Sequence, residues 1–198
     1  MATTLRGPAL TAAPDTRWRT RDIVVAAVIG VAFGVVFWAW YLVWFGPLEV
    51  LSAFALPLRD LGYAVWLIPA VLAPLIIRKP GAALFAEMVA AGVSAVLGTP
   101  WGPDVLLSGF VQGAAAEVVF GFTLYRVWAF PVLALAAVAS AGAAWVHDWV
   151  IYYAATDPVI QLARGVFMAV SAVVLVAGGS VFLHRALKRA GVLEGFPD

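Results

Sequence analysis

Residues 82–97 read AALFAEMVAAGVSAVL, residues 98–104 read GTPWGPD, and residues 105–128 read VLLSGFVQGAAAEVVFGFTLYRVW. Two apolar runs of helical length, parted by a turn dense in glycine and proline, predict two helices that run in opposite directions. Each run holds side chains foreign to an apolar setting: Glu87 in the first, Gln112 and Glu117 in the second. A carboxylate near the centre of a bilayer costs on the order of a few kcal/mol, so its presence marks a functional site inside a helix bundle.

Outward from that pair the same character continues. Hydrophobic residues make up 64% of the 198, charged residues 12%, and the mean hydropathy is +0.99. Soluble domains are roughly 45–50% apolar and about 25% charged, so the composition predicts a membrane protein. Besides residues 82–97 and 105–128, further apolar runs occupy residues 23–45, 61–77, 132–153 and 159–183. The expected fold is an all-α integral membrane protein, a bundle of six transmembrane helices. Residues 1–20 form a polar tail with Pro8, Pro14 and basic residues; no small-residue cleavage site follows a short apolar core, so removal as a signal peptide is not expected. The membrane domain covers 21–185 and a second polar tail 186–198. The Pro-containing stretch 46–60 is expected to lie partly in the interface.

An even number of spans puts both termini on one side, and the basic residues choose it. Arg17, Arg19, Arg21, Arg78, Lys79, Arg126, Arg185, Lys188 and Arg189 fall on one face, which predicts cytoplasmic termini. Glu49, Asp60, Asp104 and Asp157 fall on the other. Arg59 and Arg164 break the pattern, either as snorkelling side chains or local partners of Asp60 or Asp157, or as contacts to an anionic ligand group. Trp38, Trp40 and Trp44 fit an aromatic belt.

Gly109, Gly113, Glu117 and Gly121 recur every four residues, a stripe along which another backbone can approach. Gln112 points roughly 140° away from Glu117 at about 100° per residue, so one of the two is expected to be structural unless a pocket wraps the helix. Glu87 shares a face with Ala83, Ala91 and Ser94 at a comparable depth. A Glu87–Gln112 or Glu87–Glu117 hydrogen bond is expected, the second requiring one acid to hold a proton.

In the fifth run Trp145, Asp148, Trp149 and Tyr152 lie at i, i+3, i+4 and i+7 on one helical face. Two indoles and a phenol around a carboxylate suit an organic cation; the alternative is an interfacial belt with a solvated aspartate. His147 points elsewhere in this reading and packs between helices, and no metal site is expected because no second histidine or cysteine stands at ligand spacing. In the first run Ala26, Gly30 and Gly34 form a small-xxx-small face for internal packing or for docking a separate membrane subunit.

Several function classes drop out. The absence of cysteine removes thiol chemistry and disulfides. No Gly-x-x-x-x-Gly-Lys-Ser/Thr loop is present, so the chain has no ATPase site of its own and is not expected to be an enzyme. An intramembrane hydrolase built on Glu87 or Glu117 with His147 lacks a paired nucleophile turn. An ion-coupled secondary transporter for an organic cation and a non-transporting membrane scaffold stand as alternatives. No cofactor and no nucleic-acid partner are expected; the lipid bilayer is.

The run Ile76-Ile77-Arg78-Lys79-Pro80-Gly81-Ala82-Ala83, then Glu87, Gly98 through Pro103, Gly109, Gln112-Gly113 and Ala116-Glu117, resembles the YkoE-type substrate-binding (S) components of energy-coupling-factor (ECF) transporters. The likeness is dense from about Leu61 to Phe120. It implies a six-helix protein of the bacterial cytoplasmic membrane that captures thiamine or its hydroxymethylpyrimidine precursor outside and joins a transmembrane coupling protein and two ATPases. The resemblance and thiamine's chemistry together assign Glu87 or Glu117, with Gln112, to the aminopyrimidine. They assign Trp145, Trp149 and Tyr152 to stacking, Asp148 to the cationic thiazolium, and Trp101 to a lid, with Trp66 as a further contact. Ala26, Gly30 and Gly34 stand where the family's coupling face is usual.

Overall fold

A computed structural model of the chain describes residues 16–196. The remainder of the two expected tails, with Pro8 and Pro14, lies outside the described residues. Within them every regular element is helical. Five helices are long and apolar enough to cross a membrane: Thr20–Trp44, Pro57–Ile77, Asp104–Phe122, Phe130–Ile151 and Pro158–Arg189. The apolar helix Ala82–Leu97 is shorter.

The first helix, α1 (Thr20–Trp44), begins where Asp22 accepts the backbone N–H of Arg19 at 2.9 Å. A short α2 (Pro47–Phe54) and the single turn α3 (Leu56–Arg59) follow, so the expected interfacial stretch is helical. The next span is not one uniform helix. A 3-10 segment, Asp60–Leu67, leads into α4 (Pro69–Ile77), which carries Pro74 inside it. Proline cannot donate to the helical ladder, which favours a break where the two pieces meet. All nine residues of α4 are buried, so it forms the axis around which the rest assemble.

Helix α5 (Ala82–Leu97) has the bounds that the sequence predicts, because Gly81 and Gly98 flank it with φ of 86° and 92°, where a side chain would be strained. At sixteen residues it is about 24 Å long, short of a bilayer core of about 30 Å. Helix α6 (Asp104–Phe122) ends six residues before the expected Trp128. Thr123 closes it, and Leu124 and Tyr125 take left-handed backbone conformations. Helix α7 (Phe130–Ile151) and the last span complete the bundle; the latter passes from α8 (Pro158–Ser171) through a π segment, Ala172–Gly178, into α9 (Gly179–Arg189).

Small residues bring the helices together. A methyl group at Gly30 would meet Val89 Cβ at 2.6 Å, and one at Gly34 would meet Val93 Cβ at 2.5 Å. With Ala26 fully buried, the whole small-residue face of α1 is spent on α5. This corrects the docking expectation for Ala26, Gly30 and Gly34: the face is inside the molecule. The stripe on α6 behaves as expected, with Gly109 against Ala91 and Gly113 against Glu87. Arg164 on α8 holds Asp60 through Nε at 2.8 Å and Nη2 at 3.1 Å, and lies over the Tyr153 ring at 3.6 Å. The pairing of Arg164 with Asp60 is one of the local pairs expected for it.

Candidate functional site

Because α5 stops early, the turn 98–103 folds over space that a longer helix would fill. A cavity of about 300 Å³ lies there, at the end of the bundle away from Arg78, Lys79 and Arg126. That volume is at the small end of the range for ligand pockets. Its walls come from α1, the 3-10 segment, α5, α6 and the end of α7.

Glu87 is fully buried and lines the cavity. Its Oε2 accepts the backbone N–H of Ala70 at 3.1 Å, one of the donors left over at the start of α4. Its Oε1 has no hydrogen-bond partner among the described residues. A buried polar atom left so costs about 1–3 kcal/mol, which a ligand donor would recover. Gln112, also on the wall, donates through Nε2 to Ser108 at 2.6 Å and to Tyr63 at 3.4 Å.

An aromatic cluster covers these groups. Trp66 is its hub, with ring centroids 4.8 Å from Trp44, 5.4 Å from Tyr63 and 5.3 Å from Trp101. Trp101 in turn meets Phe45 at 5.4 Å. The expectation for Trp44 as a belt residue is corrected, since it is buried in this cluster. Arg59 crosses the Trp44 ring at 4.6 Å, pairs with Glu49 and donates to the Tyr153 hydroxyl at 2.7 Å. It lines the cavity as well.

Acidic groups supply the opposite wall. Asp104 at the start of α6 and Asp148 on α7 both line the cavity, with His147 between them. His147 Nδ1 is 3.1 Å from Asp148 and Nε2 is 3.2 Å from Asp104. The Tyr152 hydroxyl also donates to Asp104. Burial, then the Asp104 carboxylate, pushes that phenol well above its ordinary range, so it remains a donor at physiological pH.

The residues expected from sequence divide cleanly. Glu87, Gln112, Asp148, Tyr152, Trp101 and Trp66 line one cavity. Glu117, Trp145 and Trp149 do not. Glu117 lies at the basic end, where its carboxylate accepts the N–H groups of Gly81 at 2.6 Å, Ala83 at 2.9 Å and Leu84 at 3.3 Å, and the Tyr125 hydroxyl at 2.6 Å. No Glu87–Glu117 bond forms, because the two acids serve the starts of different helices. Trp145 donates to the Gln161 carbonyl at 2.8 Å, packs over Gly165 and meets Trp149 at 5.0 Å.

Helix geometry explains the split on α7. The four residues span about 100° of arc, Asp148 and Tyr152 at one edge, Trp145 and Trp149 at the other. The cavity lies beyond the Asp148 edge, so His147, about 100° further round, reaches it while the indoles turn to α8. This corrects the reading that His147 points elsewhere. His147, Asp104, Trp44, Tyr63 and Arg59 are thus cavity residues that the sequence reading did not assign; an acid on the turn beside Trp101 was the available signal for Asp104.

Comparisons with known proteins agree on the class. A family model described as the permease component of an ABC-type cobalt transport system matches residues 21–143. YkoE of Bacillus subtilis (strain 168), provisionally named an HMP/thiamine permease protein, is 37% identical over 180 residues, covering 90% of this chain and 88% of that one. A crystal structure of an S component of an ECF transporter matches with a TM-score of 0.82 at 36% identity, covering 90% of both chains.

Proposed function

This chain belongs to the YkoE-type family of ECF-transporter S components, multi-pass membrane proteins of vitamin uptake, and from that membership we propose that it captures thiamine or its hydroxymethylpyrimidine precursor. In this reading it is a six-helix protein of a bacterial cytoplasmic membrane, α5 being the short sixth span, with both termini in the cytoplasm. The basic residues at the end opposite the cavity support that orientation. The cavity then opens toward the outside, and a coupling protein with two ATPases supplies the energy that the chain has no phosphate-binding loop to harness.

One observation carries the reading: a buried carboxyl with a free oxygen, Glu87 Oε1, beneath a cluster of aromatic rings. An aminopyrimidine offers an exocyclic N–H and a ring nitrogen side by side, which a carboxyl group matches at two points. Glu87, helped by Gln112, takes that ring. Trp66 and Trp101 stack on the ligand, with Trp101 on the lid-like turn. Asp148 and Asp104 face the thiazolium, whose charge the aromatic faces also favour. Glu117, Trp145 and Trp149 belong to the scaffold.

Mass spectrometry of small molecules that co-purify with the detergent-solubilised protein tests the ligand class. Thiamine or its pyrimidine is expected. For the site, purified Glu87→Gln should bind thiamine about 100-fold more weakly, near 2.7 kcal/mol; a loss within a few-fold removes Glu87 from the site.

A further inference from the structure

Both nitrogens of the His147 ring face carboxylate oxygens, Asp148 on one side and Asp104 on the other. A neutral imidazole has one N–H and one lone pair, so in this position it would set a lone pair against an oxygen. Only the imidazolium donates on both sides. The bridge therefore holds a proton in the cavity wall, leaving two acids and one cation.

The acids do not depend on that proton. Asp104 also receives the Tyr152 hydroxyl, and Asp148 receives the Tyr63 hydroxyl at 3.3 Å. Loss of one N–H from His147 thus orphans neither carboxylate. The other charged groups around the site are committed. Arg59 from α3 is paired with Glu49, and Arg164 from α8 with Asp60 of the 3-10 segment. Tyr63, Tyr152 and Tyr153 are phenols that titrate far above neutrality. From α1 only aromatic side chains reach the cavity. Glu87 on α5 is the remaining acid, bonded to Ala70 rather than to the bridge.

We propose that His147 is a charge-exchange element: its proton holds the place that the thiazolium of thiamine takes over, so entry of the cation expels that proton to water. This rests on the thiamine reading above. An imidazolium and a thiazolium between the same two acids repel, and the one bound by a covalent N–H bond can leave. A neutral pyrimidine has no charge to exchange. His147 thereby sets the preference between a cationic and a neutral ligand, and affinity for the cation rises with pH by up to about tenfold per unit while the proton is being displaced.

Titration calorimetry of the full-length solubilised chain, in two buffers of different ionisation enthalpy, counts the protons released. Thiamine and hydroxymethylpyrimidine are each measured between about pH 5.5 and 7.5, the range in which histidine titrates, on wild type and His147→Gln. The protonation of each ligand's own ring is common to both proteins and cancels. The expected result is about one more proton released by wild type than by the variant with thiamine, and no difference with the pyrimidine. Asp104→Asn, which lets a neutral imidazole satisfy the bridge, should abolish the extra proton too, and serves if His147→Gln does not fold. Equal proton counts in wild type and variant with both ligands bound overturn the exchange and leave the thiamine reading standing. Failure of wild type to bind either ligand overturns both.

Discussion

Glu117 and Glu87 each lie beside the first turn of a neighbouring helix. Glu117 meets the start of α5 with both oxygens, taking three backbone N–H groups and a phenol. Glu87 meets the start of α4 with one oxygen, taking one N–H, and its second oxygen has no partner among the described residues. The residue type and the apolar surroundings are the same at both ends of the molecule. What separates a fastening from a binding site is whether the hydrogen-bonding capacity is used up. Interiors seldom leave a buried polar atom unpaired, so the unfilled one points to something that arrives later.

A more extreme member of the filled class gives the largest expected effect. Arg164→Met should destabilise the protein by about 3–5 kcal/mol, because it strands the buried Asp60 carboxylate. Thermal or denaturant unfolding in detergent checks it, and a loss below about 1 kcal/mol would mean that Asp60 finds water or another donor. Next comes the direct contrast. Glu117→Gln should cost about 2–3 kcal/mol, since an amide NH2 must face a donor on one side of the α5 cap, while ligand affinity stays near wild type. Glu87→Gln keeps an oxygen for Ala70, so its stability should change by less than about 1 kcal/mol while affinity collapses. If the two variants lose stability and affinity in the same proportion, the division between filled and unfilled acids is wrong.

How far these roles could be read from the chain follows from where their causes lie. The bounds of α5 were legible because the glycines at 81 and 98 act locally. The end of α6 was not: Phe122-Thr123-Leu124-Tyr125 contains no glycine or proline, and the left-handed turn is accompanied by the tertiary bond from Tyr125 to Glu117. The 3-10 segment before Pro69 and the π segment in the last span left no periodic signature either. Within the site, Glu87, Gln112 and Asp148 were visible as polar residues in apolar runs. That Glu117 is a cap and that His147 joins the cavity depend on how helices are rotated against one another, which a single helix's periodicity does not state. The small-residue face of α1 shows the same limit, since its spacing announces close packing without saying which helix packs there.

Tyr125 offers the finest test of the filled site. Its hydroxyl donates to Glu117 at 2.6 Å from a partly exposed turn, so Tyr125→Phe should cost only about 1 kcal/mol. Burial first, and then the neighbouring carboxylate, pushes the phenol well above its ordinary range. The sign follows from that direction. The folded state holds the phenolic proton more tightly than the unfolded chain, so the hydroxyl's contribution is complete below about pH 10, where unfolded tyrosine ionises, and is lost as pH rises beyond it. The stability difference between wild type and Tyr125→Phe should therefore be flat from about pH 6 to 9 and shrink above about pH 10. A difference that already varies near neutrality would place the titration on Glu117 itself, and the acid at the basic end would then be less completely satisfied than its four donors require.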